Sequence, residues 1–317
     1  MIKRIHAQQL KPGMYIHDLN CGWMDHPFMT NSLLVENEQQ VRKVIEHGIK
    51  ELYIDTSKGT DVEDAPTEAD VKAEIEREMV GLAQQEPLQN TSSLGEELRR
   101  AQKVHSEANQ IVHGILNDAR LGKQVELEKV EPLVEKVTES ILRNNDALLN
   151  LCRIKNKDDY TFQHSVSVGA LLISFARAMD LDRATIHLIG IGGMLHDIGK
   201  MRVKNEVLNK PGKLTDPEFS HMKSHVVYSR EILEQTTNIS PISIDVAAQH
   251  HERYDGSGYP LGLKGEQISL FGQMAAIVDV YDAITSDRVY HKGMSPTEAL
   301  RKIFEWSKFH FNHQLAQ

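Results

Sequence analysis

The run Leu195-His196-Asp197-Ile198-Gly199-Lys200 decides how this chain reads, and it is answered by His250-His251-Glu252-Arg253-Tyr254-Asp255-Gly256-Ser257-Gly258-Tyr259-Pro260. An apolar segment, residues 189–195, leads into an adjacent imidazole and carboxylate at the edge of a core. A carboxylate has two oxygens, so one aspartate can join two cations while the neighbouring imidazole supplies a neutral nitrogen donor. As a bare dipeptide His196-Asp197 is commonplace, and helix capping by Asp197 is an equal reading. The surroundings favour metal. Gly199 lets the backbone turn directly after the two donors, and Lys200 then has the reach to set an ammonium against a bound phosphate. His250 and His251 diverge by about 100° within a regular helix, so both reach one ion only where a helix ends. The Asp255-Gly256 turn is taken as that end.

Seven histidines fall between His164 and His251. His221 and His225 are four apart and would share a helix face, so spacing alone admits either as a ligand. His187 reads as a core or interface histidine. Imidazole and carboxylate without thiolate suit a redox-capable or hydrolytic centre of Fe or Mn, with Ni or Zn also admitted, better than structural zinc.

Composition narrows the classes. The 317 residues, 40% of them apolar, are enough for two domains with cores of their own. The formal charge is -9 with acids and bases interspersed. No basic stripe is available for a polymeric nucleic acid. A small anionic substrate would rely on metal ions or a few placed Lys and Arg side chains. Cys21 and Cys152 are the two cysteines, which excludes a disulfide framework and fits a reducing cytoplasm. No apolar run approaches the roughly 20 residues of a membrane span, and residues 1–10 lack the apolar centre of a signal peptide.

The pattern predicts an α+β chain in three parts. Residues 1–62 read as a small strand-containing module, with a Pro12-Gly13 turn, a helix over 38–47 and a strand over 49–54. Residues 63–125 read as a helical linker region and 126–317 as an all-α catalytic domain. Helices are predicted over 68–82, 94–121, 127–151, 161–179, 183–196, 217–235, 242–251, 270–285 and 295–304. Ser93 before Glu96 is a capping signal.

The histidine and aspartate motifs, with the tripeptide Gly258-Tyr259-Pro260, resemble the HD-GYP subgroup of the HD phosphohydrolases, bacterial phosphodiesterases of cyclic di-GMP. The resemblance covers about residues 158–311. It implies a first metal ligand at His164, within Tyr160-Thr161-Phe162-Gln163-His164-Ser165, and further ligands at His196, Asp197, His225, His250, His251 and Asp279. One ion would take His164, His196, Asp197 and Asp279, the other Asp197, His225, His250 and His251, with Asp197 bridging. His221 matches no ligand position. Family members with a glutamate four residues before the first histidine hold a third ion; here that position is Tyr160, so two divalent ions are expected.

The resemblance also implies Asp197 and Lys200 as catalytic groups, and Lys200, Arg288 and Tyr259 as substrate contacts. Arg288 has a plain alternative as a surface ion-pair partner. Three positions on, where the family carries a basic residue, this chain has His291 followed by Lys292. In Gly258-Tyr259-Pro260 glycine is expected to supply a positive φ and Tyr259 to be exposed; the family uses this loop against GGDEF domains, which makes such a domain an implied partner. Residues 9–28 look like a small domain of unknown function (DUF3391-like) that often precedes HD-GYP domains. Trp23, His26 and Phe28 there read as core aromatics or a ligand pocket. The family continues well beyond Phe311, so the chain reads as short at its end.

The expected activity is metal-dependent hydrolysis of cyclic di-GMP to pGpG and onward to GMP. Two alternatives stay open: 3′,3′-cyclic GMP-AMP as substrate, and a non-catalytic module binding a cyclic dinucleotide or GGDEF domain. The assembly state, a homodimer included, is also open.

Overall fold

The computed structural model describes residues 1–21, 28, 30–82, 89–155, 159–287 and 292–317. Contacts divide the chain into two compact units, the first of residues 1–85 with 213–216 and 317, the second of residues 86–212 and 217–316.

The first unit is built on a four-stranded antiparallel sheet of order β1-β4-β2-β3. Its strands are β1 (Ile2–His6), β2 (Tyr15–Asp18), β3 (Leu33–Leu34) and β4 (Glu51–Asp55). The helix α1 (Glu38–Glu46) begins where the Asn37 side chain accepts the Gln40 amide, satisfying a donor that the first turn leaves open. Ile5, Ile16, Val41, Val44, Leu52 and Ile54 share one apolar core, and Phe28 packs against it. Trp23 and His26 lie outside the described residues. The helix α2 (Glu68–Leu82) is tied to β1 at its start, where the Arg4 amide donates to the Pro66 carbonyl at 2.9 Å.

The second unit is helical: α3 (Leu94–Arg120), α4 (Leu127–Arg143), α5 (Asn145–Cys152), α6 (Tyr160–Ala178), α7 (Arg183–Leu195), α8 (Asn205–Leu208), α9 (Asp216–Glu234), α10 (Pro241–Gln249), α11 (Leu270–Thr285), α12 (Pro296–Trp306) and α13 (His313–Ala316). Two expectations change here. The predicted helix over 127–151 is two helices, because Asn144 is extended and its side chain caps α5 by accepting the Asp146 and Ala147 amides. Residues 63–125 are not one linker either. Whereas α2 belongs to the first unit, α3 puts Ala101, Ala108, Val112 and Leu116 into the core of the second. Its buried Glu97 accepts from Ser140 and, at both oxygens, from Arg143, so the buried charge is paired and hydrogen-bonded.

What positions the site is α7. A Cβ on Gly193 would stand 2.8 Å from Gly169 Cα of α6, and one on Gly192 would stand 2.7 Å from Val246 Cβ of α10. Bare backbone on two faces lets α6 and α10 close on the same helix. The Ser243 hydroxyl of α10 donates to the Leu188 carbonyl of α7 at 2.7 Å, which fixes the register of that contact.

Candidate metal centre

Five helix segments bring their side chains to one buried point. His164 comes from α6, His196 and Asp197 from the end of α7, His225 from α9, His250 and His251 from the end of α10, and Asp279 from α11. Among the described residues, the donor atoms form three overlapping groups: His164, His196 and Asp279; His196, Asp197 and His250; and His225, His250 and His251. Within each group the donor atoms lie within 4.8 Å of one another. All seven residues singled out as metal ligands are therefore neighbours.

Asp197 divides the set. Its Oδ2 lies 3.5 Å from His164 Nε2 and 3.4 Å from His196 Nε2, while its Oδ1 lies 3.3 Å from His225 Nε2 and 3.9 Å from His250 Nε2. Asp279 Oδ1 stands 3.0 Å from His164 Nε2 and Asp279 Oδ2 stands 3.8 Å from His251 Nδ1. Asp197 Oδ1 and His196 Nε2 are buried without a hydrogen-bond partner. Buried polar atoms are normally satisfied, and a divalent cation would satisfy both. With neutral imidazoles and carboxylates as the donor set, the residues fit such a cation.

The rings are aimed by the backbone. The Nδ1 atoms of His196, His225 and His250 bond the carbonyls of Gly193, Met222 and Ala247, three residues back, at 2.7, 2.7 and 2.8 Å. Occupying Nδ1 in this way turns Nε2 towards the centre. His164 differs, because its Nδ1 bonds Asp282 Oδ2 at 2.6 Å. Asp282 in turn pairs with the buried Lys155 ammonium, which also donates to Ser286 Oγ at 2.8 Å.

Burial holds the His225 pKa down at about 4 and that of His251 at about 3, and it takes that of His250 well below the ordinary value. These nitrogens carry free lone pairs at neutral pH. Burial also opposes the charge on His196, but the Asp197 and Asp279 carboxylates outweigh it and raise that imidazole to about 10. Asp197 is held well below the carboxylate range, against its burial, by Lys200 and His196.

Lys200 contacts Asp197 Oδ2 directly and is 21% exposed, so its ammonium lies at the rim of the centre. The backbone does turn at Gly199, within a 3-10 segment over Ile198–Arg202, but without a positive φ. A Cβ there would stand 2.0 Å from the His225 carbonyl and 2.4 Å from the Ser229 amide. The absent side chain admits the backbone of α9, and the Gly199 amide donates to Ser229 Oγ at 2.9 Å. His250 and His251 do sit at a helix end, but α10 already stops at Gln249, with His250 as its C-cap. The positive φ of Gly256 (84°) belongs to the loop that follows.

In that loop Gly258 also lacks a positive φ; a Cβ would lie 2.2 Å from the Arg253 amide. Tyr259 is half-buried, not exposed, and its ring stacks on His251 at 4.8 Å and 27°. The Tyr259-Pro260 peptide is cis. Sequence reasoning gave no role to Glu252, whose buried carboxylate accepts the Leu261 and Leu263 amides at 2.7 and 2.9 Å and so anchors the loop. Its signal was its place in the His250-His251-Glu252 run. Asp282 was missed as well, although it lies one helical turn beyond Asp279. Tyr160 stacks on His164 at 5.7 Å and offers no carboxylate. His221 accepts the Lys204 amide at 3.4 Å, and His187 lies 3.8 Å from Glu135, both away from the centre. Arg288 and His291 lie outside the described residues.

A helical domain that converges five imidazoles and two aspartates from separate helices, one His-Asp pair adjacent in sequence, is of the HD type. The chain belongs to the HD-domain family, whose model matches residues 137–315, and residues 2–130 match the domain of unknown function DUF3391. Over 316 residues it is 42% identical to the cyclic di-GMP phosphodiesterase PA4108 of Pseudomonas aeruginosa, a match covering 99% of this chain and 75% of that protein. It is 34% identical over 214 residues to a cyclic di-GMP phosphodiesterase of Thermotoga maritima, covering 65% of this chain and 57% of that one. A 3′3′-cGAMP-specific phosphodiesterase of Vibrio cholerae is 38% identical over 154 residues, covering 49% of this chain and 36% of that protein. The solved structure of Bd1817, an HDG"Y"P protein from Bdellovibrio bacteriovorus, shares the fold: TM-score 0.58 at 16% identity, covering 100% of this chain and 97% of that one. No helix among the described residues is long and apolar enough to cross a membrane.

Proposed function

We propose that this chain is a cyclic di-GMP phosphodiesterase, opening the ring to pGpG and cleaving that to GMP at a centre of two divalent ions. The observation that carries the reading is Asp197, whose two oxygens face separate imidazole sets while buried Oδ1 has no hydrogen-bond partner. His164, His196 and Asp279 would hold one ion with Asp197, and His225, His250 and His251 the other. When bound, such a pair supplies Lewis acidity that activates water and positive charge that clamps the phosphate oxygens.

The remaining roles belong to side chains. His225 and His250, kept neutral by burial and held at Nδ1, present Nε2 without having to lose a proton. His196 is the exception, so ion uptake releases its proton. Lys200 stands at the rim with an ammonium that can follow negative charge onto a non-bridging phosphate oxygen in the transition state. Tyr259 stacks on His251 with the Lys223 ammonium 5.1 Å from its ring centre, which places an aromatic and a cation beside the centre for contact with the substrate.

The donor set favours Fe or Mn, and the names of the relatives support cyclic di-GMP over 3′,3′-cyclic GMP-AMP. Protein purified without oxygen, analysed for metal and incubated separately with each cyclic dinucleotide tests the proposal. The expected result is about two ions per chain and faster loss of cyclic di-GMP, with pGpG appearing before GMP. Protein carrying two ions that leaves both dinucleotides intact overturns the enzymatic reading, and preferential loss of the mixed dinucleotide overturns the substrate assignment.

A further inference from the structure

We propose that Asp282, held by Lys155 and Ser286, is a positioning residue that makes the His164 side of the centre the tighter of its two cation positions. The inference rests on the two-ion reading above and concerns how the two positions differ.

Three of the ligand imidazoles rest their Nδ1 on neutral backbone carbonyls, at 2.7 to 2.8 Å. His164 alone among these four rests its Nδ1 on a carboxylate, at 2.6 Å. A carboxylate accepting the Nδ1 proton makes the other nitrogen a stronger donor, and such outer partners set metal affinity. Asp279 and Asp282, three apart on α11, face one turn of the same helix surface. Asp279 stands 3.0 Å from His164 Nε2 and Asp282 meets Nδ1, so α11 addresses both ring nitrogens of one histidine.

The carboxylate is itself fixed. Lys155 and Asp282 have side chains only 3% and 6% exposed, so the pair is shielded from solvent screening. The ammonium continues to Ser286 Oγ at 2.8 Å, and that hydroxyl donates to the Asp282 carbonyl at 2.6 Å. The carboxylate thus cannot swing away from His164 without also leaving the buried Lys155 ammonium, which Ser286 Oγ helps to hold in place. Among the described residues, the other position has no carboxylate within hydrogen-bond distance of a ligand Nδ1. His225 and His250 rest on carbonyls, and Asp279 Oδ2 stands off at 3.8 Å from Nδ1 of His251, which is 25% exposed. Asp279 Oδ1 adds a second carboxylate oxygen to the His164 side, whereas His225 and His250 face only Asp197 Oδ1.

The test is a titration of chelator-treated full-length protein with Mn²⁺, following free ion by electron paramagnetic resonance. Wild type is expected to show two classes of site differing at least tenfold. Asp282→Asn is expected to weaken the tighter class by about 10 to 100-fold and leave the weaker one in place. A wild-type readout stands beside it should that variant not fold. In the zinc-loaded protein, one ligand-imidazole N–H proton should resonate well downfield of the carbonyl-bonded ones. Absence of ion binding by wild type overturns the two-ion reading and this inference with it. Two equal sites, a variant that weakens both classes alike, or imidazole protons that cluster together overturn this inference alone.

Discussion

His225 and His196 are both buried against Asp197, yet they titrate in opposite directions, and that opposition makes a prediction about the metal-free protein. The folded pKa of His225 is about 4 and that of His251 about 3, below the ordinary 6.5. Between about pH 4 and 6.5 the unfolded chain therefore binds protons that the folded chain does not, and stability rises with pH across that window. His225 contributes roughly 2 kcal/mol of the difference between pH 5 and pH 7, at about 1.4 kcal/mol per pKa unit. His196, raised to about 10, works the other way: its contribution is complete below 6.5 and fades as pH rises through 10. Chelated protein should melt at its highest temperature near neutrality, lower at pH 5 and lower again at pH 10. Melting that is flat, or that improves towards pH 5, contradicts this balance. Of the candidate ligands, His196, Asp197, His250 and His251 were singled out by adjacent His-Asp and His-His pairs near Gly and Lys, whereas His164 and Asp279, and the choice of His225 over His221, came only with the family resemblance. Asp282 was not legible, because its meaning depends on Lys155, 127 positions away, and on the ring nitrogen of His164 that it meets.

At the scale of elements, two glycines read as turn formers are sites of close approach. Sequence marks a glycine but does not say whether the missing side chain frees φ or makes room, and that depends on which backbone arrives from elsewhere. At Gly199 it is α9, with the His225 carbonyl 2.0 Å from where a Cβ would be. Backbone cannot rotate aside as a flexible side chain can. Gly199→Ala should therefore push α9 off the turn, costing about 1 to 3 kcal/mol as other overpacking does and moving His225 away from Asp197. We expect a lower melting temperature together with loss of ion binding at the His225 position. A variant that keeps wild-type melting and both ions would show that the contact is dispensable. Helix ends were similarly half-legible. The apolar period runs on through residues 127–151, and only Asn144 turning to cap α5 reveals the break between two helices.

For the whole molecule the question is which core owns each helix, and periodicity is silent on it. An amphipathic stripe says that a face will be buried, never against what, so α2 and α3 look alike in sequence yet join different units. The division has a thermodynamic consequence. All seven candidate ligands belong to the helical unit, and the sheet unit has an apolar core of its own in which Ile16, Leu52 and Ile54 are fully buried. A cation that binds only the folded helical unit stabilises that unit by about 2.7 kcal/mol when present at a hundred times its dissociation constant. For a domain of this size each 1 kcal/mol moves the melting point by roughly 2 to 4 °C. Calorimetry of the full chain should therefore resolve two transitions, one rising by about 5 to 10 °C on addition of Mn²⁺ and the other staying where it was. Asp197→Asn should abolish the rise while leaving the second transition untouched, which assigns the moving one to the helical unit. A single transition that climbs as a whole would mean that the two cores unfold together, and the separate ownership of α2 and α3 would then carry no energetic weight.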